Sequence, residues 1–477
     1  MNIVLLSGGS GKRLWPLSND IRSKQFLKVL RNEEGVYESM VQRVYRQIRS
    51  ACKENKIEAD ITIATGRTQI DSIKSQLGES VDIVVEPERR DTFPAILLSA
   101  AYLYYKKKVS LDEAIIVLPV DPYADLGYFK LLAEMDAQVQ KGVSDIVLMG
   151  INPTYPSAKY GYIIPDSRAK TIQQSEGGQP ETPFYPGGGM EPKAENGEFI
   201  VKGFVEKPSE ENSMELISQG ALWNAGVFAF SLGYIVNIME KYMQASSYEE
   251  MQKRYQELPK ISFDYEIVEK SDSISIVQYD GVWKDLGTWN TLTEEIGGEN
   301  IGAVMQGEGC SNTHIVNELD IPVVALGLKD VVVAASPDGI LVSDKEKSSF
   351  IKPYVDGLEK RPMYEERRWG EYKVLDYTQY DDGSHALTKR LVLKAGKAIS
   401  YQSHSIRDEI WTIVDGTGDF VLDGHIRNVH RGDVMYILKG QKHAIYATSN
   451  LQFIEVQIGE ELSEDDKEEY EWDWSTG

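Results

Sequence analysis

The chain has 477 residues, of which 42% are hydrophobic and 26% are charged, and its formal net charge is -23 at pH 7. This composition predicts a globular protein of about three domains and excludes a fibrous or broadly disordered chain. The negative charge argues against a nucleic-acid or anionic-membrane partner, because Lys and Arg would first have to offset a repulsive field. A phosphate-bearing ligand therefore needs a local basic pocket.

The cysteines and the apolar runs indicate a protein of a reducing compartment. The two cysteines, Cys52 and Cys310, lie far apart in the chain and suggest neither a disulfide framework nor a zinc site. The opening residues MNIVLLSGG reach glycines at once without a basic region, and no run of about 18 apolar residues follows. We therefore expect a soluble, cytoplasmic protein.

Buried-strand and helix patterns alternate through residues 1–150. The predicted strands are 3–6, 61–65, 82–86, 114–120 and 145–150, and the predicted helices are 38–51, 92–107 and 127–140. This alternation predicts an α/β sheet with helices on both faces. Ligands in such sheets bind outside the carboxyl ends of the strands.

The composition changes further along the chain. Residues 165–198 are rich in Gly, Pro, Gln, Ser and Glu, which predicts a flexible surface insertion. An α/β domain over 1–297 is then followed by short β-like segments over 298–357, which predict a small β connecting domain. Evenly spaced strands predict an all-β barrel over 358–477, with the acidic end from 460 onwards expected to be peripheral.

The segment LSGGSGKRLWPLSNDIRSKQFL, residues 6–27, carries the first functional pattern. Three glycines follow a predicted strand and three cations follow the glycines: Gly8, Gly9, Gly11, Lys12, Arg13 and Lys24. Glycines let backbone N–H groups approach a phosphate closely, and the cations offset the charge of a triphosphate. The spacing is not that of a Walker A loop, and taken alone it also fits a glycine-rich turn with surface cations.

The pattern GGxGxRLxPL with its later lysine resembles the signature of the sugar nucleotidyltransferases, and Trp15 with residues 24–27 resembles their mannose-1-phosphate guanylyltransferase branch. Segments similar to that branch follow in order: EPERRDTFPAI, LPVDPYADLGYF, YPSAKYGYI, FVEKP, WNAGVFAF, ISFDYEIVEK and WKDLGTW. Ser23 stands where the family has proline, and Asp91 stands where it has asparagine. The second change leaves the base preference open.

The resemblance implies a Rossmann-like, GT-A-like mixed sheet and a β-helix-like connecting domain. It also implies that a sugar 1-phosphate attacks the α-phosphorus of a nucleoside triphosphate with the help of Mg²⁺. In this branch GTP and mannose 1-phosphate give GDP-mannose and pyrophosphate, a step of polysaccharide biosynthesis, and we expect a homodimer. Asp121 and Asp285 are the implied Mg²⁺ ligands, because a hard cation takes carboxylate oxygens. Each of them taken singly also fits a turn aspartate.

The other site residues are implied by the same resemblance. Arg13 and Lys24 would act in catalysis with the two aspartates, and the nucleotide-binding residues would be Leu6, Gly8, Gly9, Gly11, Arg13, Glu86, Arg90 and Asp121. The sugar-phosphate-binding residues would be Tyr160, Gly161, Glu206, Lys207 and Asn224. Another base or sugar, for example one giving GDP-heptose, stays an alternative. A non-catalytic sugar-nucleotide sensor is disfavoured, because it has no need of two metal carboxylates.

The spacing of polar residues in the C-terminal barrel itself predicts a metal site. One set fits the first cupin motif and a second set fits the second: Gly396, Gln402, His404, Glu409 and Gly416, then Gly432, Gly440 and His443. The donors Gln402, His404, Glu409 and His443 make a mixed N/O site suited to Zn²⁺, Mn²⁺, Fe²⁺ or Ni²⁺.

The order of the domains resembles the bifunctional type II phosphomannose isomerase/guanylyltransferases, which implies mannose-6-phosphate isomerase as a second activity with Zn²⁺ or another divalent transition metal. Their motif QxHHHRxEHW reads QSHSIRDEIW here, so Arg407 is kept while Ser405, Ile406 and Ile410 replace histidines. A regulatory or structural cupin is the alternative. Three further histidines, His385, His425 and His430, are assigned no role.

Overall fold

A computed structural model describes residues 1–9, 11–165, 199–297, 300–358 and 361–474. Most of the predicted insertion, residues 166–198, lies outside the described residues. The chain forms two compact units, the first of Met1–Gly9, Leu30–Ile70 and Ser80–Leu286, the second of Ser10–Val29, Asp71–Glu79 and Gly287–Gly477. The units interleave along the chain, whereas the predicted division at 297 and 357 is sequential and stays a prediction.

The α-helices are, in chain order, α1 (Met40–Asn55), α2 (Ile70–Leu77), α3 (Thr92–Ala101), α4 (Leu126–Lys130), α5 (Leu132–Lys141), α6 (Glu210–Ser218), α7 (Leu232–Tyr242), α8 (Tyr248–Lys253), α9 (Phe263–Glu266), α10 (Trp289–Ile296) and α11 (Lys352–Val355). Helix α1 begins after Ser39 because Ser39 and Gln42 form a reciprocal capping box. The predicted helix over 92–107 is regular only to Ala101 and continues as a π-helical turn, Tyr102–Lys106. Among the described helices, none has the length and hydropathy that a bilayer crossing requires.

The strands of the first unit are β1 (Asn2–Ser7), β2 (Leu30–Arg31), β3 (Tyr37–Glu38), β4 (Asp60–Gly66), β5 (Asp82–Glu86), β6 (Ala114–Pro119), β7 (Pro122–Ala124), β8 (Ile146–Ile151), β9 (Tyr162–Pro165), β10 (Phe199–Val205), β11 (Leu222–Ser231), β12 (Ile274–Tyr279) and β13 (Trp283–Asp285). All five predicted strands are among them, with ends that differ by at most one residue.

Nine of these strands form one mixed sheet in the order β5-β4-β1-β6-β11-β8-β12-β10-β9. Strands β5, β4, β1 and β6 are parallel, so their carboxyl ends share one edge, and β11 runs antiparallel to β6 and begins at that edge. Helix α3 packs on the sheet through buried apolar side chains such as Phe93 and Leu97, which contact a core that includes Val4 and Val117. Burial of this apolar surface holds the strand ends in fixed relative positions.

The strands of the second unit are β14 (Val304–Gln306), β15 (His314–Asn317), β16 (Val323–Ala325), β17 (Val331–Ser336), β18 (Gly339–Asp344), β19 (Tyr364–Arg367), β20 (Gly370–Gln379), β21 (His385–Leu393), β22 (Tyr401–Ser403), β23 (Arg407–Asp415), β24 (Thr417–Leu422), β25 (His425–His430), β26 (Val434–Ile437), β27 (His443–Ala447), β28 (Leu451–Gly459) and β29 (Glu468–Tyr470). Strands β14 to β18 form two small sheets with parallel pairs β14–β16 and β15–β17.

The remaining strands form two antiparallel sheets, β19-β20-β21-β28-β23-β26 and β25-β24-β27-β22-β29. Trp411, Phe420 and Phe453 are almost fully buried in the core of this β region. The predicted fold class, an α/β domain followed by an all-β domain, is confirmed.

Most described residues of the acidic end are exposed, as expected of a peripheral segment, and β29 is an edge strand of its sheet. Strand β29 pairs with β22, and Leu462 is buried. The rings of Tyr470 and Trp472 lie 6.2 and 4.8 Å from the ring of Tyr401. Strand pairing and aromatic packing therefore fix this segment despite its charge.

Candidate functional site

The glycine turn after β1 leaves open space above its backbone. Gly8 and Gly9 are exposed, and a Cβ atom added to either would meet no other atom within 4 Å. Gly9 has a φ of 101°, which favours glycine. Ser7 and Thr65 donate to the Gln69 Oε1, at 3.3 and 2.9 Å, and the Gln69 Nε2 donates to the Gly9 carbonyl at 3.3 Å. The turn is therefore fixed by the hydrogen bond from Gln69, while the space next to Gly8 and Gly9 is open.

The short ladder between β7 and β13 brings Asp121 and Asp285 together. Asp121 directly precedes β7, and Asp285 ends β13, opposite Pro122 in the antiparallel register. Opposed residues of such a ladder have Cα atoms about 4.5–5.5 Å apart. The backbone of Asp285 therefore lies close to Pro122 and to the adjoining Asp121. The Leu6 carbonyl accepts a hydrogen bond from the Val120 N–H at 3.3 Å, which ties Asp121 to the end of β1. Carboxylate oxygens suit a hard cation, and the role of Asp121 and Asp285 as Mg²⁺ ligands stays a prediction.

Glu86 and Arg90 are held by contacts within the protein. Glu86 ends β5, is buried and accepts a hydrogen bond from the Tyr255 hydroxyl at 2.9 Å. Burial raises the pKa of the Glu86 carboxyl. Arg90 donates from Nε to the Leu258 carbonyl at 3.0 Å and pairs with Glu88. These contacts give both residues a structural part, and their nucleotide contacts stay a prediction.

Four of the five predicted sugar-phosphate residues form one network. The Asn224 N–H donates to the Gly161 carbonyl at 2.8 Å. A Cβ atom at Gly161 would lie 2.4 Å from the Glu206 Oε2, so the carboxylate needs a glycine there. The Glu206 side chain is only 8% exposed, and it pairs with the Lys207 Nζ at 2.5 Å. This network offers a carboxylate, an amide and a cation, which match the hydroxyl and phosphate groups of a sugar phosphate.

Asp264, at the start of α9, completes the network and was missed by the sequence analysis. Its Oδ1 accepts a hydrogen bond from the Asn224 Nδ2 at 2.6 Å, and the Asn224 Oδ1 accepts one from the Gly226 N–H at 3.0 Å. The Asn224 amide is thereby fixed in one orientation. Burial, reinforced by the nearby Glu206 carboxylate, raises the pKa of Asp264 to about 7. The only signal in the sequence was the segment ISFDYEIVEK, in which no residue stood out.

Tyr160, the fifth predicted residue, joins an aromatic cluster between the two groups of polar residues. Its ring lies 4.9 Å from that of Trp223 and 5.4 Å from that of Trp283. Trp223 directly precedes Asn224, and Trp283 lies two residues before Asp285 on β13. Burial is the main cause that raises the pKa of the Tyr160 hydroxyl. The aromatic cluster therefore connects the sugar-phosphate network with the aspartate pair.

The raised pKa of Asp264 predicts a pH dependence of stability with a defined sign. Between the usual value of 3.8 and about 7, the folded protein holds a proton that the unfolded chain has lost, so stability falls as the pH rises through this range. Replacing Asp264 with asparagine keeps the acceptor for Asn224 and removes the titration. The melting temperature of Asp264→Asn minus that of the wild type should therefore increase by at least about 2 °C between pH 5 and 7 and stay constant above.

Thermal melts of both proteins across pH 5 to 8.5 provide the measurement. Asp280→Asn is the matched control, because Asp280 is exposed. The difference in melting temperature between Asp280→Asn and the wild type should not vary with pH. A pH-independent difference for Asp264→Asn would show that Asp264 has an ordinary pKa.

The remaining predicted loop residues belong to the second unit. Gly11 has a φ of 63°, and a Cβ atom there would lie 2.7 Å from the Lys24 backbone nitrogen, so the loop closes tightly at this point. Arg13 is exposed and forms no ion pair with any described residue, and Lys24 begins a 3-10 turn. The tight closure keeps Lys24 next to the glycine, and phosphate binding by this loop stays a prediction.

The predicted metal ligands of the C-terminal barrel lie together. His404, Glu409 and His443 are buried, and one donor atom from each lies within 4.8 Å of the others. Gln402 is opposite His443 in the β22–β27 ladder, and its Nε2 lies 3.3 Å from the His404 Nε2. The three residues form a possible metal-binding triad with two nitrogens and a carboxylate oxygen.

Backbone carbonyls orient both imidazoles. The Nδ1 of His404 is hydrogen-bonded to the Asp466 carbonyl, and the Nδ1 of His443 to the Gln441 carbonyl at 3.0 Å. A carbonyl only accepts, so each Nδ1 carries the proton and each Nε2 has a lone pair. The His404 Nε2 lies 3.3 Å from the Arg407 Nη2 and 3.3 Å from the Gln402 Nε2. Within the described part of the chain, the His443 Nε2 has no hydrogen-bond partner. A buried lone pair without a donor fits a divalent metal.

The charges of the triad fit a metal as well. Arg407 donates to the Glu409 Oε1 at 2.8 Å, and the Trp411 indole donates to Oε2 at 3.1 Å. Burial would raise the pKa of Glu409, but the groups around the carboxylate, with the Arg407 guanidinium in direct contact, outweigh burial and lower it. Burial lowers the pKa of His404. An ionised carboxylate beside a neutral imidazole is the donor state that metal binding requires.

Comparisons with known proteins match two family models and several relatives to the chain. Residues 2–298 match the family model described as nucleotidyl transferase, and residues 359–471 match that described as mannose-6-phosphate isomerase C-terminal. The chain is similar to a putative mannose-1-phosphate guanylyltransferase of Vibrio cholerae serotype O1, with 29% identity over 98% of this chain and 99% of that protein. It is also similar to the mannose-1-phosphate guanylyltransferase of Escherichia coli K12, with 28% identity over 97% and 96%.

A solved structure shares the fold. The mannose-1-phosphate geranyltransferase of Thermus thermophilus is 29% identical to this chain and superposes with a TM-score of 0.56. The match covers 75% of this chain and 99% of that one. The similarity therefore extends well beyond a single motif.

Proposed function

Because this chain belongs to the nucleotidyl transferase family, we propose that it is an enzyme that transfers a guanylyl group from GTP to mannose 1-phosphate and releases GDP-mannose and pyrophosphate. The β7–β13 ladder carries the proposal, since it makes neighbours of Asp121 and Asp285 at the strand ends. The relatives of nearly equal length are named for the same reaction.

The reaction needs no protein nucleophile. A phosphate oxygen of the sugar phosphate attacks the α-phosphorus, the bond from that phosphorus to the bridging oxygen breaks, and pyrophosphate leaves. Mg²⁺, when bound by Asp121 and Asp285, neutralises phosphate charge. Arg13 and Lys24 neutralise the triphosphate, and Lys207 binds the sugar phosphate. The chain thus contributes alignment and charge rather than a covalent intermediate.

The network around Asn224 orients the sugar. The Asn224 amide is held by Asp264 and the Gly226 N–H, so its remaining N–H is directed by the protein before substrate arrives. Glu206 supplies acceptors for hydroxyl groups, and the Tyr160 ring supplies an apolar surface. A site fixed in this way favours one arrangement of hydroxyl groups over its epimers.

Pyrophosphate release across a matrix of nucleoside triphosphates and sugar 1-phosphates tests the proposal. The highest turnover is expected for GTP with mannose 1-phosphate. Faster turnover with another base, or with a heptose 1-phosphate, would reassign the substrate while keeping the reaction. No release with any pair would overturn the enzyme assignment. We also propose that the protein is cytoplasmic and that it is a homodimer. Sedimentation of the purified protein tests the homodimer.

A second activity, isomerisation of mannose 6-phosphate and fructose 6-phosphate, is favoured by the buried triad His404, Glu409 and His443. These residues would hold Zn²⁺ or another divalent transition metal, which would polarise the sugar carbonyl while a base moves a proton between C1 and C2. Protein loaded with Zn²⁺ or Co²⁺ is expected to convert mannose 6-phosphate. Formation of no fructose 6-phosphate would leave the barrel a regulatory or structural role.

A further inference from the structure

The loop that carries the cations predicted to bind the triphosphate packs within the second unit. Residues 10–29, which include Gly11, Arg13 and Lys24, cluster with residues 287–477. The described part of this loop has only two 3-10 turns, Lys12–Leu14 and Lys24–Phe26, as regular structure. Ordering the side chains of lysine and arginine costs conformational entropy. The contacts that hold the loop therefore decide how well the cations are placed.

Arg22 makes the strongest of these contacts. Its Nη1 and Nη2 donate to the two carboxylate oxygens of Glu318 at 2.6 and 2.9 Å, and both side chains are mostly buried. The guanidinium also lies 5.0 Å from the centre of the Tyr364 ring. A bidentate arginine–carboxylate pair fixes both position and orientation. Arg22 lies two residues before Lys24, so little chain separates the pair from a predicted triphosphate cation.

Asn19 makes a second connection. Its Oδ1 accepts hydrogen bonds from the N–H groups of Ile21 and Arg22, at 2.9 and 2.7 Å, and closes the turn. Its Nδ2 donates to the Asp338 Oδ2 at 2.8 Å. The other oxygen of Asp338 accepts from the Met363 N–H at 2.7 Å, just before β19. A continuous path of hydrogen bonds thus runs from the loop through the connecting strands to the first strand of the barrel.

The start of the loop is held in the same way. The Trp289 indole donates to the Trp15 carbonyl at 3.0 Å, and Ser336 donates to the Pro16 carbonyl at 2.7 Å. The Trp15 ring covers Gly339, where a Cβ atom would lie 2.5 Å from it. The loop is therefore bound at its start by Trp289 of α10 and, at its start and its middle, by residues of the connecting β region, 298–357.

We propose that Glu318 and Asp338 are positioning residues for Arg13 and Lys24, so that binding of the nucleoside triphosphate depends on the connecting β region. The inference rests on the proposed guanylyltransferase function. It assigns to this region a part in substrate binding, exerted through Arg22 and Asn19. The region does not itself contact the substrate in this proposal.

Steady-state kinetics of Glu318→Ala test the proposal. The KM for GTP should rise roughly 10- to 100-fold, the range expected for losing hydrogen bonds to a charged group. The KM for mannose 1-phosphate should stay unchanged. Arg22→Ala should have the same effect, and the double variant should be no worse than the poorer single one, because both remove one interaction. Equal increases in both KM values, or additive effects, would overturn the proposal.

Asp320→Ala is the matched control, because its exposed carboxylate pairs with the Lys373 Nζ at 2.9 Å and not with the loop. It should keep the wild-type KM for GTP. If Glu318→Ala does not fold, Glu318→Gln keeps the size of the side chain and removes its charge. The glutamine variant should also raise the KM for GTP alone, and a wild-type value would overturn the proposal.

Hydrogen–deuterium exchange gives a measure that does not depend on activity. Amides of residues 11–29 should exchange faster in Glu318→Ala than in the wild type and the Asp320→Ala control. If the wild type transfers no guanylyl group, the proposed function fails while the exchange data still report on the anchoring. Unchanged exchange in this segment would overturn the positioning role even if the enzyme is active.

Discussion

Replacing either Asp121 or Asp285 with alanine should lower the turnover of guanylyl transfer about 10²- to 10⁴-fold, since losing a metal ligand removes several kcal/mol of transition-state stabilisation. Asp285 ends β13 and Asp121 directly precedes β7, so the loss of either residue leaves one carboxylate for the cation. The double variant should be little worse than the poorer single one, because residues that act as a unit are not additive. Pyrophosphate release at saturating GTP and mannose 1-phosphate is the measurement.

Asp280→Ala is the control for these variants. Asp280 lies five residues before Asp285, is exposed, and accepts hydrogen bonds from the side chains of Asn152 and Gln278. It should retain wild-type turnover. Near-normal pyrophosphate release from Asp121→Ala or Asp285→Ala would refute the metal assignment, and excess Mg²⁺ that restores activity would support it.

The second large effect concerns metal in the barrel. Wild-type protein dialysed against Zn²⁺ and then against buffer should retain about one ion per chain, and His443→Ala should lose affinity by at least about 100-fold, more than is usual for an outer-shell residue. The alanine removes one of two imidazoles and leaves Glu409 with fewer partners. Metal content by mass spectrometry and a titration with a competing chelator measure the change.

His425→Ala serves as the control, because His425 is exposed and lies outside the triad. It should bind the ion as the wild type does. Guanylyl transfer by each variant checks that the protein is folded. Equal metal content in His443→Ala and the wild type would place the ion elsewhere, and an empty wild type would remove the metal from the barrel.

The sequence predicted those features that depend on local pattern. Strand runs ending in glycine or aspartate identified β1 and β6, and the cupin spacing identified Gln402, His404 and Glu409 before any distance was known. These are short-range signals, because the alternation of a strand and the spacing of ligands along it are set within about ten residues.

The sequence did not predict contacts between residues that lie far apart in the chain. Asp264 contacts Asn224 across 40 residues, and Arg22 contacts Glu318 across 296. Neither contact leaves a periodicity in the chain. The contacts that attach the acidic end are of the same kind, because Tyr470 and Trp472 find their partner only once Tyr401 is in place.

Because the two units interleave along the chain, the protein cannot be divided into independent fragments at a single point of the sequence. A fragment that stops near residue 297 would keep the loop 10–29 but lose Glu318, Ser336 and Asp338, its partners in the structure. A chimaera that exchanged the connecting strands for those of a relative would need a matching exchange of Asn19 and Arg22. The two units are therefore expected to be inherited together and to vary together in evolution, although their domains look separate along the sequence.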